Sequence, residues 1–183
     1  MKKLITPLFT LLLATTFTSF AAQDDQLIDV DVYIEELNSA LNLYQASDFD
    51  VALPALEKIA KRGNKNAQYI VGTMYLNAQG TKQNLLKSYA WLKVANEKKS
   101  NSWKRPLKML EEKLPESFLQ KASFEAESYV SKYGTKTQRV KCRNIKTLGS
   151  KRGVDTCKKI EVKPGYYFEA AELEIKELSA LVN

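Results

Sequence analysis

Cys142 and Cys157 are the two cysteines of this 183-residue sequence, and they have two chemistries open to them. Joined, they close a loop of 15 residues and stabilise by roughly 3 kcal/mol through the entropy of the unfolded chain. Left apart, they are free thiols of a reducing compartment. No C-x-x-C spacing occurs, so a thioredoxin-like redox site is not indicated. The chain has no histidine. That removes Ser-His-Asp and Cys-His catalysis and the histidine zinc sites. Phosphate-binding Gly-rich loops, G-x-S-x-G and S-x-x-K are also missing. Glu35-Glu36 and Glu111-Glu112 are carboxylate neighbours, but adjacent helical residues diverge by about 100° and do not converge on a substrate. They read as solvated helix faces. Carboxylates far apart in sequence leave glycoside hydrolysis formally open, and nothing points to it. The expectation is no catalytic residue, no metal and no cofactor.

The cations are the other chemical feature. Thr135 to Lys163 holds ten basic residues against Asp155 and Glu161, a local charge of +8 in a chain of formal charge +7. Lys151, Arg152, Lys158 and Lys159 are the candidate contact residues. Three readings stand. The segment is solvated surface; or it meets an acidic partner, such as a protein, a lipid A phosphate or a membrane headgroup; or it binds nucleic acid, which charge permits and export disfavours.

Export is read from the first residues. Lys2 and Lys3 precede an uncharged apolar stretch from Leu4 to Phe20, and Ser19 and Ala21 are small. This is a signal peptide over residues 1–21, cleaved after about Ala21. The alternative is an uncleaved anchor, but the apolar run is short against the about 20 residues needed to span, and Pro7 lies within it. No second apolar run follows, so the mature chain has no expected transmembrane segment. A periplasmic or secreted location follows, and in that compartment an even cysteine count reads as a Cys142–Cys157 disulfide.

The elements that hold these residues follow from apolar spacing. Residues 22–30 are polar and read as a flexible leader. From 31 to 134, apolar residues recur at helical intervals in six short helices joined by short loops, or three antiparallel hairpins. Ala52 and Ser88 are 36 residues apart, as are Leu56 and Leu92. A period near 36 with one helix pair per period is a solenoid signature. Gln138 to Lys146 and Gly153 to Lys163 alternate as two strands. Phe168, Ala171, Ile175, Leu178 and Val182 form the apolar stripe of a last helix.

Ala67-Gln68-Tyr69-Ile70-Val71-Gly72-Thr73-Met74-Tyr75, followed by Gly80, Gln83-Asn84, Lys87 and Trp91, resembles the Sel-one-like repeat, a relative of the tetratricopeptide repeat. The match covers about residues 48–99. Residues 101–133 resemble a degenerate capping hairpin. Ala78, Ser88 and Lys99 depart from the pattern, at a loop glycine, a packing alanine and a terminal glycine. The resemblance implies protein–protein interaction rather than one activity. It casts Ala52, Ala60, Gly63, Ala67, Gly72, Tyr75, Gly80 and Trp91 as packing residues. It places Asn66, Tyr69, Thr73, Leu76 and Asn77 on the concave side, where a partner would bind; the alternative is that they are merely exposed or touch the flanking hairpins.

The expected fold is therefore mainly α: a short α-solenoid of about three helical hairpins, then a small disulfide-closed β-hairpin and a C-terminal helix over residues 135–183. The expected function is an exported adaptor or scaffold that binds a protein of unknown identity. The alternative is a binder of an anionic envelope ligand (acidic lipid, glycan or acidic protein) acting through the basic hairpin.

Overall fold

A computed structural model describes residues 26–146 and 153–170. Six α-helices carry the array: α1 (Val30–Gln45), α2 (Phe49–Lys61), α3 (Lys65–Asn77), α4 (Leu85–Ala95), α5 (Lys104–Lys113) and α6 (Glu116–Tyr133). Short polar side chains start three of them. Asp29 Oδ1 accepts from the Asp31 amide at 2.8 Å. Asn64 Oδ1 and Asn84 Oδ1 accept from the Ala67 and Lys87 amides, both at 3.0 Å. Each bond satisfies a donor that the first helical turn would otherwise leave free. Left-handed residues end three of them: Ser47 at φ 63° beyond α1, Gly63 at φ 88° beyond α2, and Ala78 at φ 56° after α3.

The expected packing residues lie where helices meet. Ala52, Ala60 and Ala67 are fully buried, as are Leu56, Val71 and Met74 around them. A Cβ on Gly72 would stand 2.9 Å from Leu92 Cγ, so glycine lets α3 and α4 touch. Ser88, where the repeat pattern has alanine, is also buried, and its Oγ donates to the Gly72 carbonyl at 2.8 Å. The buried hydroxyl is thereby satisfied. Trp91 is buried between Tyr129 and Tyr133, with ring centroids 4.9 and 5.2 Å away.

The strands depart further from expectation. β1 (Gln26–Asp29) lies within the expected flexible leader, yet it pairs antiparallel with β5 (Tyr166–Glu169). β5 also pairs with β4 (Glu161–Lys163), giving a three-stranded sheet of order β1-β5-β4. From Gln26 onward the leader expectation fails, because Ile28 is buried and lies opposite Tyr167, whose ring meets Tyr33 of α1 edge-on at 5.3 Å; residues 22–25 lie outside the described residues. Phe168 is likewise a strand residue rather than the first turn of a last helix. Its ring lies under the Arg139 guanidinium at 4.3 Å. The rest of that expected helix, residues 171–183, falls outside the described residues.

β2 (Val140–Lys146) and β3 (Gly153–Lys159) form the expected hairpin, with Cys142 directly opposite Cys157. Their sulfurs are bonded. Residues 147–152, which join the two strands, lie outside the described residues. The second strand stops at Lys159, before Lys163, because β4 leaves the hairpin for the other sheet.

Candidate functional site

Asn66, Tyr69, Thr73, Leu76 and Asn77 recur at helical spacing on α3 and share one side of it. Asn66 and Asn77 are exposed; Tyr69, Thr73 and Leu76 are half-buried. Tyr69 stacks on Trp103, with centroids 4.6 Å apart and planes 12° from parallel. Lys98 Nζ lies 4.1 Å from the Trp103 centroid and donates to Asn66 Oδ1 at 3.1 Å. Thr73 Oγ1 donates to its own helix at the Ile70 carbonyl, 2.8 Å away. Leu76 packs against the core cluster that α4, α5 and α6 share. The row is thus a half-exposed aromatic and amide strip whose centre is braced from behind.

Trp103 and Lys98 were not foreseen as part of it. Trp103 reads as the first apolar residue of the fifth helix, but it stands in a 3-10 turn, Asn101–Trp103, ahead of α5. Pro106 gives the available signal, because proline favours the first turn of a helix and so puts Trp103 before it.

The tail is clamped to the array by buried cations. The Arg62 guanidinium donates to Glu169 Oε1 at 2.6 Å and Oε2 at 3.2 Å, and its third contact is Glu36 Oε2. One side chain of α2's end thereby joins α1 and β5. Burial disfavours its charge, but the bonds from Glu169 and Glu36 outweigh that and raise its pKa. Lys65 is buried beside Glu97, 2.6 Å away, and burial pulls its pKa down despite that partner. Glu97 also accepts from the Thr135 amide at 2.9 Å, so it fixes the chain as it leaves α6.

The four cations expected to contact a ligand separate. Lys151 and Arg152 lie outside the described residues. Lys158 is exposed. Lys159 turns inward and is corrected here: its ammonium donates to the Arg62 carbonyl at 2.8 Å and the Gln138 carbonyl at 3.0 Å. Burial pushes it down to about 8, with Glu169 opposing and Arg62 and Arg139 adding to the shift. Half-buried and bonded to two carbonyls, it anchors the hairpin to the array. The alternation of a strand puts Lys159 on the same face as Cys157 and opposite Lys158, and that signal was present in the sequence.

No protein-family model matches the sequence, and no curated protein matches it. Among solved structures it is similar to the crystal structure of c5321, a protective antigen present in uropathogenic Escherichia coli strains displaying an SLR fold. The TM-score is 0.53 at 23% identity, over 65% of this chain and 27% of that one. The helical array has the SLR fold. SLR here is the Sel-one-like repeat that residues 48–99 resemble in sequence. The likeness is one of fold, and it spans about a quarter of the antigen's length. Among the described residues no helix is long and apolar enough to cross a membrane.

Proposed function

We propose that this chain is an exported adaptor or scaffold, periplasmic or secreted, that holds a protein partner against the α3 row. The observation that carries the proposal is the half-exposed Tyr69–Trp103 stack on an SLR array, flanked by Asn66, Asn77 and Lys98. Aromatic residues dominate binding energy where protein surfaces meet, because they bury a large rigid area at low entropic cost. Neighbouring amides supply hydrogen bonds that fix register. Export is supported by the signal-peptide pattern before Ala22 and by the Cys142–Cys157 bond, since disulfides persist in oxidising compartments. The reading includes no catalysed reaction.

The test uses envelope extract from the producing cell and the chain immobilised through an engineered tag. Thr73→Arg and Asn77→Arg place a long cation on the row, at a half-buried residue whose hydroxyl bonds its own helix and at an exposed one. A partner recovered by the wild type should be lost from both variants, with helical content unchanged. Equal recovery by all three would remove the α3 row as the site.

A further inference from the structure

A cavity of about 190 Å³ opens between the start of α3 and the β2–β3 hairpin. Asn64, Lys65 and Asn66 line it from the array, and Lys98 lines it from the 3-10 turn Asn96–Lys98 that follows α4. Asp155 and Thr156 line it from β3. The space is that of about six waters in the liquid. It adjoins the α3 row, because Asn66 and Lys98 belong to both.

The charges on its walls do not cancel. The charged lining residues are Lys65, Lys98, Lys159 and Asp155. Lys65 is matched by Glu97 at 2.6 Å. Lys159 is held by two neutral carbonyls, so its charge is bonded but not balanced. Lys98 has no carboxylate partner among the described residues; its ammonium meets Asn66 Oδ1 and the Trp103 ring. Burial lowers its pKa, and Asp155 opposes that shift without forming an ion pair. Asp155 is the single counter-charge, and its Oδ1 already accepts from Asn144 at 2.8 Å. Two unbalanced cations against one carboxylate leave one positive charge for a ligand.

The free hydrogen-bonding groups are mostly donors. Lys98 Nζ has three N–H groups and gives one to Asn66. The Asn66 side-chain nitrogen and the Thr156 hydroxyl have no partner among the described residues. Such a set suits an anion of single charge. A carboxylate fits it, whereas a phosphate group carries nearly two charges at neutral pH and would leave one uncompensated. One ammonium holds a free carboxylate weakly, but a carboxylate delivered by a protein already seated on the row arrives at high effective concentration.

Resting on the α3-row function proposed above, we infer that the cavity receives an aspartate or glutamate side chain of the same protein partner, with Lys98 and the Asn66 amide nitrogen as its donors. Lys159 adds to the positive field and makes no direct contact. Asp155 repels the incoming carboxylate, so removal of its charge tightens binding.

The chain, labelled with 15N, is titrated with sodium acetate against sodium chloride at fixed ionic strength, and its amide shifts are followed by NMR. Saturable shifts should centre on Asn66, Lys98 and Thr156. Lys98→Gln should weaken acetate binding about tenfold, since it removes a charge-assisted hydrogen bond. Asp155→Asn keeps an oxygen for Asn144 and should tighten it roughly threefold. Lys141→Gln removes a cation of the same hairpin outside the cavity lining and should change nothing. Helical content confirms the fold of each variant. Absence of saturable shifts at the cavity, or equal losses in Lys98→Gln and Lys141→Gln, would overturn the proposal. So would weaker acetate binding by Asp155→Asn, which would make Asp155 a ligand group and the occupant a polyol or a zwitterion. A second arm repeats recovery of the partner from envelope extract with Asp155→Asn, a residue off the α3 row. Partner affinity should rise roughly threefold, and an unchanged or lower affinity would remove the partner's carboxylate as the occupant. Thr73→Arg and Asn77→Arg should bind acetate like wild type, so a failure of the row itself would show in recovery alone.

Discussion

Gly80 and Gly165 both have left-handed backbone, at φ 68° and 80°, but their surroundings differ. A Cβ on Gly80 would lie 2.1 Å from the Phe49 carbonyl oxygen and 2.6 Å from its carbon. A Cβ on Gly165 would meet nothing within 4 Å. Substitution by alanine costs each about 1–2 kcal/mol for the left-handed conformation. It also stiffens the unfolded chain by a similar amount at both, which cancels in the comparison. Only Gly80→Ala must push one backbone off another. Phe49 opens α2, so the displaced atoms belong to a helix start and not to a flexible side chain. Overpacking of this kind adds about 1–3 kcal/mol. Gly80→Ala should therefore exceed Gly165→Ala by about 2 kcal/mol, or about 4–8 °C in Tm. Urea unfolding followed by circular dichroism measures both. Costs equal to within about 0.5 kcal/mol would refute the claim that the α3–α4 loop is wedged against the first hairpin.

Ala78 and Lys99 stand at φ 56° and 60° where the repeat pattern has glycine. Ala78→Gly and Lys99→Gly should each stabilise by about 0.5–1 kcal/mol, seen as higher urea midpoints, because relief of the left-handed strain exceeds the added chain entropy. Arg62→Ala should cost about 2–3 kcal/mol, since it strips Glu36 and Glu169 of their shared partner at partly buried positions; urea unfolding measures it. Lys159 binds its proton near pH 8 when folded and near 10.5 in the open chain. The unfolded chain holds more protons between those values, so stability should rise as pH climbs from about 8 towards 10.5, and Lys159→Met should flatten that rise. Replacing both cysteines by serine should cost about 2–4 kcal/mol, read as a lower urea midpoint.

The array was legible because its signals are local. Apolar spacing and the 36-residue offset both lie within a turn or a repeat. The three-stranded sheet was not legible. β1 and β5 have four residues each and pair across most of the chain. Four residues do not separate a period of 2 from one of 3.6, so Phe168 fitted a helical stripe equally well. The corrected role of Lys159 was partly legible, since strand parity sets it beside Cys157. The carbonyls of Arg62 and Gln138 that hold it come from a junction no local pattern describes. On the α3 row, the positions were readable from the repeat, but the stacking of Trp103 on Tyr69 depends on how the third hairpin sits.

The pairing of β1 with β5 has a mechanical consequence. Gln26 faces Glu169 and Asp29 faces Tyr166, so the outer ends of the two strands lie side by side. A load applied at Gln26 and Glu169 pulls across this ladder, perpendicular to the strands. The ladder then opens like a zip, one cross-strand pair at a time, and its rungs do not share the load as they would in shear. Arg62 ties Glu169 to the end of α2, so that ion pair must part with the first rung before the remaining pairs open. These four pairs act as a mechanical fuse, and a pulling experiment on the two strand ends should record a small early release of length ahead of the larger event from the helices.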